Sequence, residues 1–242
     1  MSMMRPFCGS LLALATLSFF VPSARPQSGA AWGSLKGTVR LATPIAALVD
    51  LPVNRNQGTC RSRTPDPSLV VGSDGAVANA VVTLANIDAP ISLPREPARL
   101  DQKACVFFPH VQAVPAGSVL EIANGDPILH NVHAYLGSET LFNVAMPVQN
   151  YRVRRKLERP GVIRLQCDAG HTWMSGYIWV SPHPYYAVTD GSGGYLIKDV
   201  PPGSYEVRVW HERLGEKTTG VTVAAAKTTT LSIELAAASS SR

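Results

Sequence analysis

The sequence predicts an all-β protein built from sandwich-type domains. Two observations carry that expectation. No long stretch of the 242 residues shows a 3.6-residue apolar period. What recurs instead are short β-branched or aromatic runs separated by Gly, Pro, Asn and Asp, the pattern of strands joined by turns. Hydrophobic residues make up 45% and charged residues 16%, which is a globular composition and not a disordered one. The formal net charge of +5 mildly favours acidic partners. No nucleic-acid motif accompanies it, so nucleic acid is not an expected partner.

Taken in order, the chain opens on an expected export signal over residues 1–27. Arg5 supplies a positive start, Leu11 to Val21 is a short apolar run, and Ser23-Ala24 offers small residues near a cleavage point. The run is too short for a comfortable membrane span, so no stable span is expected after removal of the leader. An uncleaved amphipathic N-terminus is the alternative. Export implies a secreted or periplasmic location. Cleavage would also take Cys8, leaving Cys60, Cys105 and Cys167. An odd count in an exported chain leaves one cysteine outside a disulfide. Cys167 has ligand-type neighbours and the other two do not, so Cys60 and Cys105 are the candidate bridge, with two separate free thiols as the alternative. A loop of that length stabilises by about 4 kcal/mol in the chain-entropy description.

The expected strands include Lys36–Leu41, Ala80–Leu84, Ser118–Ile122, Val162–Leu165 and Tyr177–Val180. Tyr195–Ile197, Tyr205–Trp210, Val221–Val223 and Thr229–Leu235 follow. Thr43 to Ser73 is irregular and rich in Pro, Asn and Arg, and reads as a long surface loop pinned by Cys60. The basic run Arg152, Arg154, Arg155, Lys156, Arg159 reads first as a solvated strand face, and alternatively as a docking patch for an acidic partner. Residues 237–242 read as a frayed tail.

The strongest chemical signal is Leu165-Gln-Cys167-Asp-Ala-Gly-His171-Thr-Trp-Met174-Ser-Gly-Tyr177. A cysteine ends one strand, a histidine and a methionine follow in a short loop, and a second apolar strand departs. Thiolate and thioether favour Cu(I), while imidazole accepts both oxidation states, so the set suits one copper ion. Zinc would accept Cys and His, but methionine argues against it. A further ligand must come from Asn124-Gly-Asp-Pro-Ile-Leu-His130-Asn-Val-His133. The two histidines are three apart, so on a regular strand they face opposite sides. His130 is the expected ligand. His133, Asn131 and His110 are expected as supporting or purely structural neighbours.

Asp126-Pro-Ile-Leu-His130-Asn-Val followed by the Cys-His-Met loop resembles the plastocyanin-like members of the cupredoxin family, over about residues 100–182. The resemblance implies a Greek-key β-sandwich with a type 1-like (blue) copper held by His130, Cys167, His171 and an axial Met174. It further implies electron transfer to a redox partner protein, with His171 as the route out. Trp173 and Tyr177 would shield the metal, meet the partner, or simply pack. The C-x3-H-x2-M spacing departs from plastocyanin and amicyanin types and resembles half of the binuclear loop of cytochrome oxidase subunit II. That centre needs a second cysteine four residues earlier, where this chain has Ile163.

Thr189-Asp-Gly-Ser-Gly-Gly-Tyr195 through Pro201-Pro-Gly203-Ser-Tyr205-Glu-Val-Arg-Val resembles the carboxypeptidase regulatory-like, transthyretin-like β-sandwich over residues 184–236. Gly37–Leu41 and Ala78–Leu84 are similar to its opening strands, which assigns 34–90 to the same smaller sandwich. The copper segment is then expected to be inserted between its halves, with simple tandem domains as the alternative. No peptidase is implied: the chain has no zinc-peptidase motif or nucleophile elbow. Three function classes follow. The first is an exported copper-binding electron carrier, not an enzyme. The second is an adhesion or scaffold protein with a copper storage or incidental metal site. The third, a copper oxidase, would need more cysteine ligand loops than this sequence has.

Overall fold

The computed structural model describes residues 31–46 and 48–236. The expected leader (1–27) and tail (237–242) fall outside the described residues. Along the chain, β1 (Gly33–Leu41) is followed by the short hairpin strands β2 (Leu51–Pro52) and β3 (Arg63–Thr64), with a one-turn helix α1 (Gln57–Cys60) between them. Next come β4 (Val81–Ala85), β5 (Ala98–Lys103), β6 (Val106–Phe108), β7 (Val111–Pro115) and β8 (Ser118–Asn124). These lead to β9 (His130–Leu136), β10 (Glu139–Met146), β11 (Arg152–Leu157), β12 (Gly161–Gln166) and β13 (Ser175–Ser181). The chain closes with β14 (Tyr186–Val188), β15 (Gly194–Val200), β16 (Gly203–His211), β17 (Gly215–Val223), β18 (Thr228–Thr230) and β19 (Ile233–Leu235).

These strands make two sandwiches. In the first, β1 pairs antiparallel with β15 and parallel with β18 and β19, and a second sheet runs β14-β4-β16-β17. Its core gathers Leu35, Val39, Val82, Leu84, Ile197 and Val207 from both sheets. In the second, β11-β8-β5-β6 faces β10-β9-β12-β13-β7 around Leu100, Leu120, Ile122, Val132, Ile163 and Ile178. Strand alternation explains the layering. Along β16, Tyr205, Val207 and Val209 turn inward while Glu206 and Arg208 turn out. Every strand from β5 to β13 belongs to the second sandwich, whereas β4 pairs with both β14 and β16. The chain therefore leaves the first sandwich after β4 and returns to it at β14.

Two details differ from the sequence reading. The expected strand Thr229–Leu235 is broken into β18 and β19. Leu231 turns its carbonyl toward the Tyr195 hydroxyl at 2.6 Å and packs it against Gly37, where any Cβ would fall 1.8 Å from that oxygen. Residues 43–73 are also more than a surface loop: they hold the β2–β3 hairpin and α1, and they bury Val53 and Cys60 in the core of the second sandwich. Cys60 and Cys105 are joined in a disulfide across 45 residues.

The two sandwiches meet through Val81, Val111 and Trp179, flanked by Tyr177 and Trp210. Tyr177 and Trp210 stand edge to face with ring centroids 5.3 Å apart. No helix among the described residues is long and apolar enough to cross a membrane.

Candidate metal centre

The pleat of two neighbouring strands directs the site. On β9, His130, Val132 and Ala134 face the core, while Asn131, His133 and Tyr135 face outward or sit at the edge. On β12, Ile163 and Leu165 point inward, and the same alternation carries Cys167 to the inside just past the strand end. Antiparallel pairing sets Leu165 opposite Ala134 and Gln166 opposite His133. Cys167 is thereby brought toward the start of β9, where His130 stands. The chain then turns at Gly170 (φ +88°), a left-handed position suited to glycine. His171 comes back over the same point.

The result is a buried cluster. His130, Cys167 and His171 each offer one ligand atom, and these atoms lie within 4.8 Å of one another. The three residues are 0%, 5% and 1% exposed. The Nδ1 atoms of His130 and His171 face each other at 3.0 Å, and Cys167 Sγ lies 3.6 Å from His171 Nδ1. Both Nε2 atoms are engaged on the far side of the rings. His130 Nε2–H donates to Asp126 Oδ2 at 2.9 Å, and His171 Nε2–H donates to Asn56 Oδ1 at 2.9 Å. Those two bonds hold the tautomers in which both Nδ1 lone pairs are directed at the common point.

Electrostatics agree with that picture. Burial, the neighbouring His130 and the Arg55 guanidinium push His171 down to about 4, so its ring is neutral and basic-lone-pair-ready at neutral pH. Burial raises the Cys167 thiol, while the backbone N–H groups of Ala169, Asn131 and His171 point at the sulfur and pull the other way. Such donors favour a thiolate once a cation balances the charge.

Met174 is 1% exposed and packs in the same core, its backbone N–H bonded to the His171 carbonyl at 2.9 Å. Met146 is also fully buried and is the cross-strand partner of His130, which sets a second thioether side chain on the same face. Ile163 is a core residue, so the cluster has a single cysteine. A second grouping of Cys105, Asp126 and His130 shares the ring of His130, but Cys105 is committed to its disulfide.

The supporting residues separate clearly. Asn131 bridges the two ligand-bearing segments, its Oδ1 accepting the Asp168 N–H at 3.1 Å. His133 stands on the outer face, where its ring meets the Asp168 carboxylate, the Tyr135 hydroxyl and, at 2.8 Å, the Thr140 hydroxyl. His110 is at the junction between the sandwiches, bonded to the Ser175 carbonyl at 3.1 Å and paired with Glu212, and is not one of the clustered side chains. Trp173 lies against His171 with ring centroids 5.1 Å apart and donates from Nε1 to the Cys105 carbonyl at 3.0 Å. Tyr177 packs at the junction instead.

One expectation is corrected. His171 was the expected surface route, yet it is buried: Asn56, from the connection between β2 and β3, bonds its Nε2 edge, and Arg55 of the same connection lies against the neighbouring Gly170. Two residues that sequence reasoning assigned no role, Asp126 and Asn56, anchor the imidazoles. Asp126 was detectable: it stands four residues before His130 in the turn. Asn56 is 115 residues from His171 and left no local signal. The basic stretch along β11 is largely paired: Arg152 and Arg154 with Glu121, and Lys156 with Glu158.

Fold and site together define a two-sandwich β protein with a buried two-histidine, one-cysteine cluster. Residues 178–236 match the family model of the carboxypeptidase regulatory-like domain. That span covers β14 to β19 of the first sandwich. No curated protein sequence matches the chain. Similar solved structures include a purple cupredoxin from Nitrosopumilus maritimus, at 23% identity and TM-score 0.31, covering 35% of this chain and 99% of that one. A copper-containing nitrite reductase from Thermus scotoductus is similar at 23% identity and TM-score 0.33, over 41% of this chain and 25% of that one. Amicyanin from Paracoccus versutus is similar at 17% identity and TM-score 0.33, over 41% of this chain and 97% of that one.

Proposed function

We propose that this chain is an exported mononuclear copper protein that carries single electrons through a type 1-like centre. His130 Nδ1, Cys167 Sγ and His171 Nδ1 would hold the ion, with the thioether of Met174 as a further, weaker ligand. The observation that carries the reading is the convergence of those three buried atoms on one point, with both Nε2 atoms held elsewhere. The donor set fits the ion: one soft sulfur and two neutral imidazoles, of the kind copper accepts in both oxidation states. Copper, when bound, supplies the one-electron couple. The chain's own residues do the rest. Asp126 and Asn56 orient the rings, the backbone N–H groups around Cys167 receive the sulfur's charge, and the core excludes water.

The disulfide supports an oxidising compartment, secreted or periplasmic. The partner is a second redox protein, and the role is carriage and not catalysis. Metal analysis with visible and paramagnetic resonance spectra of the Cu(II)-loaded protein tests the reading. One copper per chain, an intense thiolate-to-copper band, and loss of both in Cys167→Ser are expected. A band-free spectrum with copper bound would favour a storage or incidental site on a scaffold protein, and would end the electron-carrier reading.

A further inference from the structure

The clustered side chains come from β9 and from the loop between β12 and β13, but the group that closes the site comes from a segment far earlier in the chain. Asn56 belongs to the connection that leaves β1 and reaches β4, and its side-chain oxygen accepts His171 Nε2–H at 2.9 Å. We infer that this connection is a fixed cap over the metal centre's histidine: Asn56 is the positioning residue that sets the tautomer of His171 and bars small molecules from the outer edge of its ring.

The cap is held by bonds that also hold the ligands. Cys60 ties its end to Cys105. The Cys105 N–H donates to Asp126 Oδ2, the same oxygen that accepts from His130, and the Cys105 carbonyl accepts from Trp173. Val53 is buried in the core, and Gln57 Nε2 donates to the Val53 carbonyl at 2.6 Å. Asn56 is held at φ +53°, a left-handed conformation that asparagine tolerates better than most residues. Arg55 lies so close to Gly170 that a Cβ there would fall 2.7 Å from its Nη1. The cover is one residue thick, since Asn56 is itself exposed while His171 beneath it is not. An incoming molecule therefore meets Asn56 and Arg55 where it would otherwise meet the imidazole.

The inference rests on the copper reading in only one of its two tests, so the two can fail separately. In the metal-free full chain, nitrogen-correlated NMR of the imidazoles reports tautomer and proton exchange. His171 is expected as the Nε2–H form, and Asn56→Ala should speed exchange of that proton about 2- to 10-fold, the size of one neutral hydrogen bond. Asn56→Asp keeps the acceptor and should keep the tautomer, which guards against a general loss of structure in the alanine variant. In the copper-loaded chain, hexacyanoferrate(III), which takes an electron by touching an exposed edge without binding the metal, should oxidise the reduced Asn56→Ala protein faster than the wild type. Identical imidazole spectra in wild type and Asn56→Ala, or equal rates of oxidation of the two by hexacyanoferrate(III), would overturn the cap. Failure to bind copper would overturn the function proposed above and leave the NMR comparison as the deciding test of Asn56.

Discussion

Replacing Asp126 with alanine should destabilise the metal-free protein more than any other exchange of a single polar side chain near the cluster. Its Oδ1 accepts the Ala104 N–H at 2.8 Å, and its Oδ2 accepts the Cys105 N–H at 2.8 Å and the His130 Nε2–H at 2.9 Å. Ala104 and Cys105 both have positive φ, +53° and +58°, so the same carboxylate clamps two consecutive left-handed residues. Truncation strands two buried donors, on Cys105 and His130, at about 1–3 kcal/mol each; the exposed Ala104 N–H can turn to water. A loss of about 3 kcal/mol follows, or about 6–12 °C in Tm for a chain of this size. Asp126→Asn should cost only about 1 kcal/mol, because its amide oxygen can keep the two buried donors while its NH2 group faces Ala104. Urea unfolding followed by tryptophan fluorescence measures both variants. An alanine variant within about 1 kcal/mol of wild type, or an asparagine variant as damaged as the alanine one, would refute the clamp.

Three further outcomes are expected. His211 is pushed down to about 4, chiefly by burial and then by His110, and its ring accepts the N–H groups of Arg213 and Leu214. Its folded value is below the unfolded one of about 6.5, so the unfolded chain takes up protons first. Stability is then full above pH 6.5, falls as pH drops toward 4 by up to about 3 kcal/mol from this group, and levels off below. Unfolding curves across that range should flatten in part in His211→Gln. Cys60→Ser with Cys105→Ser should lower stability by about 4 kcal/mol if the closed loop acts on the unfolded chain, checked by thermal melts against the oxidised protein. Tyr205→Phe, which removes the hydroxyl bonded to the Pro201 carbonyl at 2.8 Å, should cost about 1 kcal/mol in the first sandwich by the same assay.

What could be read directly from the chain was local. Strands such as β8 and β16 announce themselves because alternation and flanking turns are properties of neighbouring residues. The Cys167–His171–Met174 loop and the His130-Asn-Val stretch stood out for the same reason: each is a short run of donors next to strand signals. Strands β5 and β10 were not legible, since Ala98–Lys103 is largely charged or polar and Glu139–Met146 has no regular apolar–polar alternation, and both gain their order from neighbours in the sheet.

The remaining features depended on chain closure across long separations, which leaves no trace in local patterning. That Cys167 comes beside His130 follows from the register of β9 against β12. That β4 finds β14 and β16 about a hundred residues later decided how the two sandwiches share the chain. The burial of His171, and the asparagine 115 residues away that covers it, came from tertiary packing alone. A hydrogen-bond acceptor at a ligand's edge can be supplied by any segment that passes within 3 Å, and sequence distance carries no information about which one does.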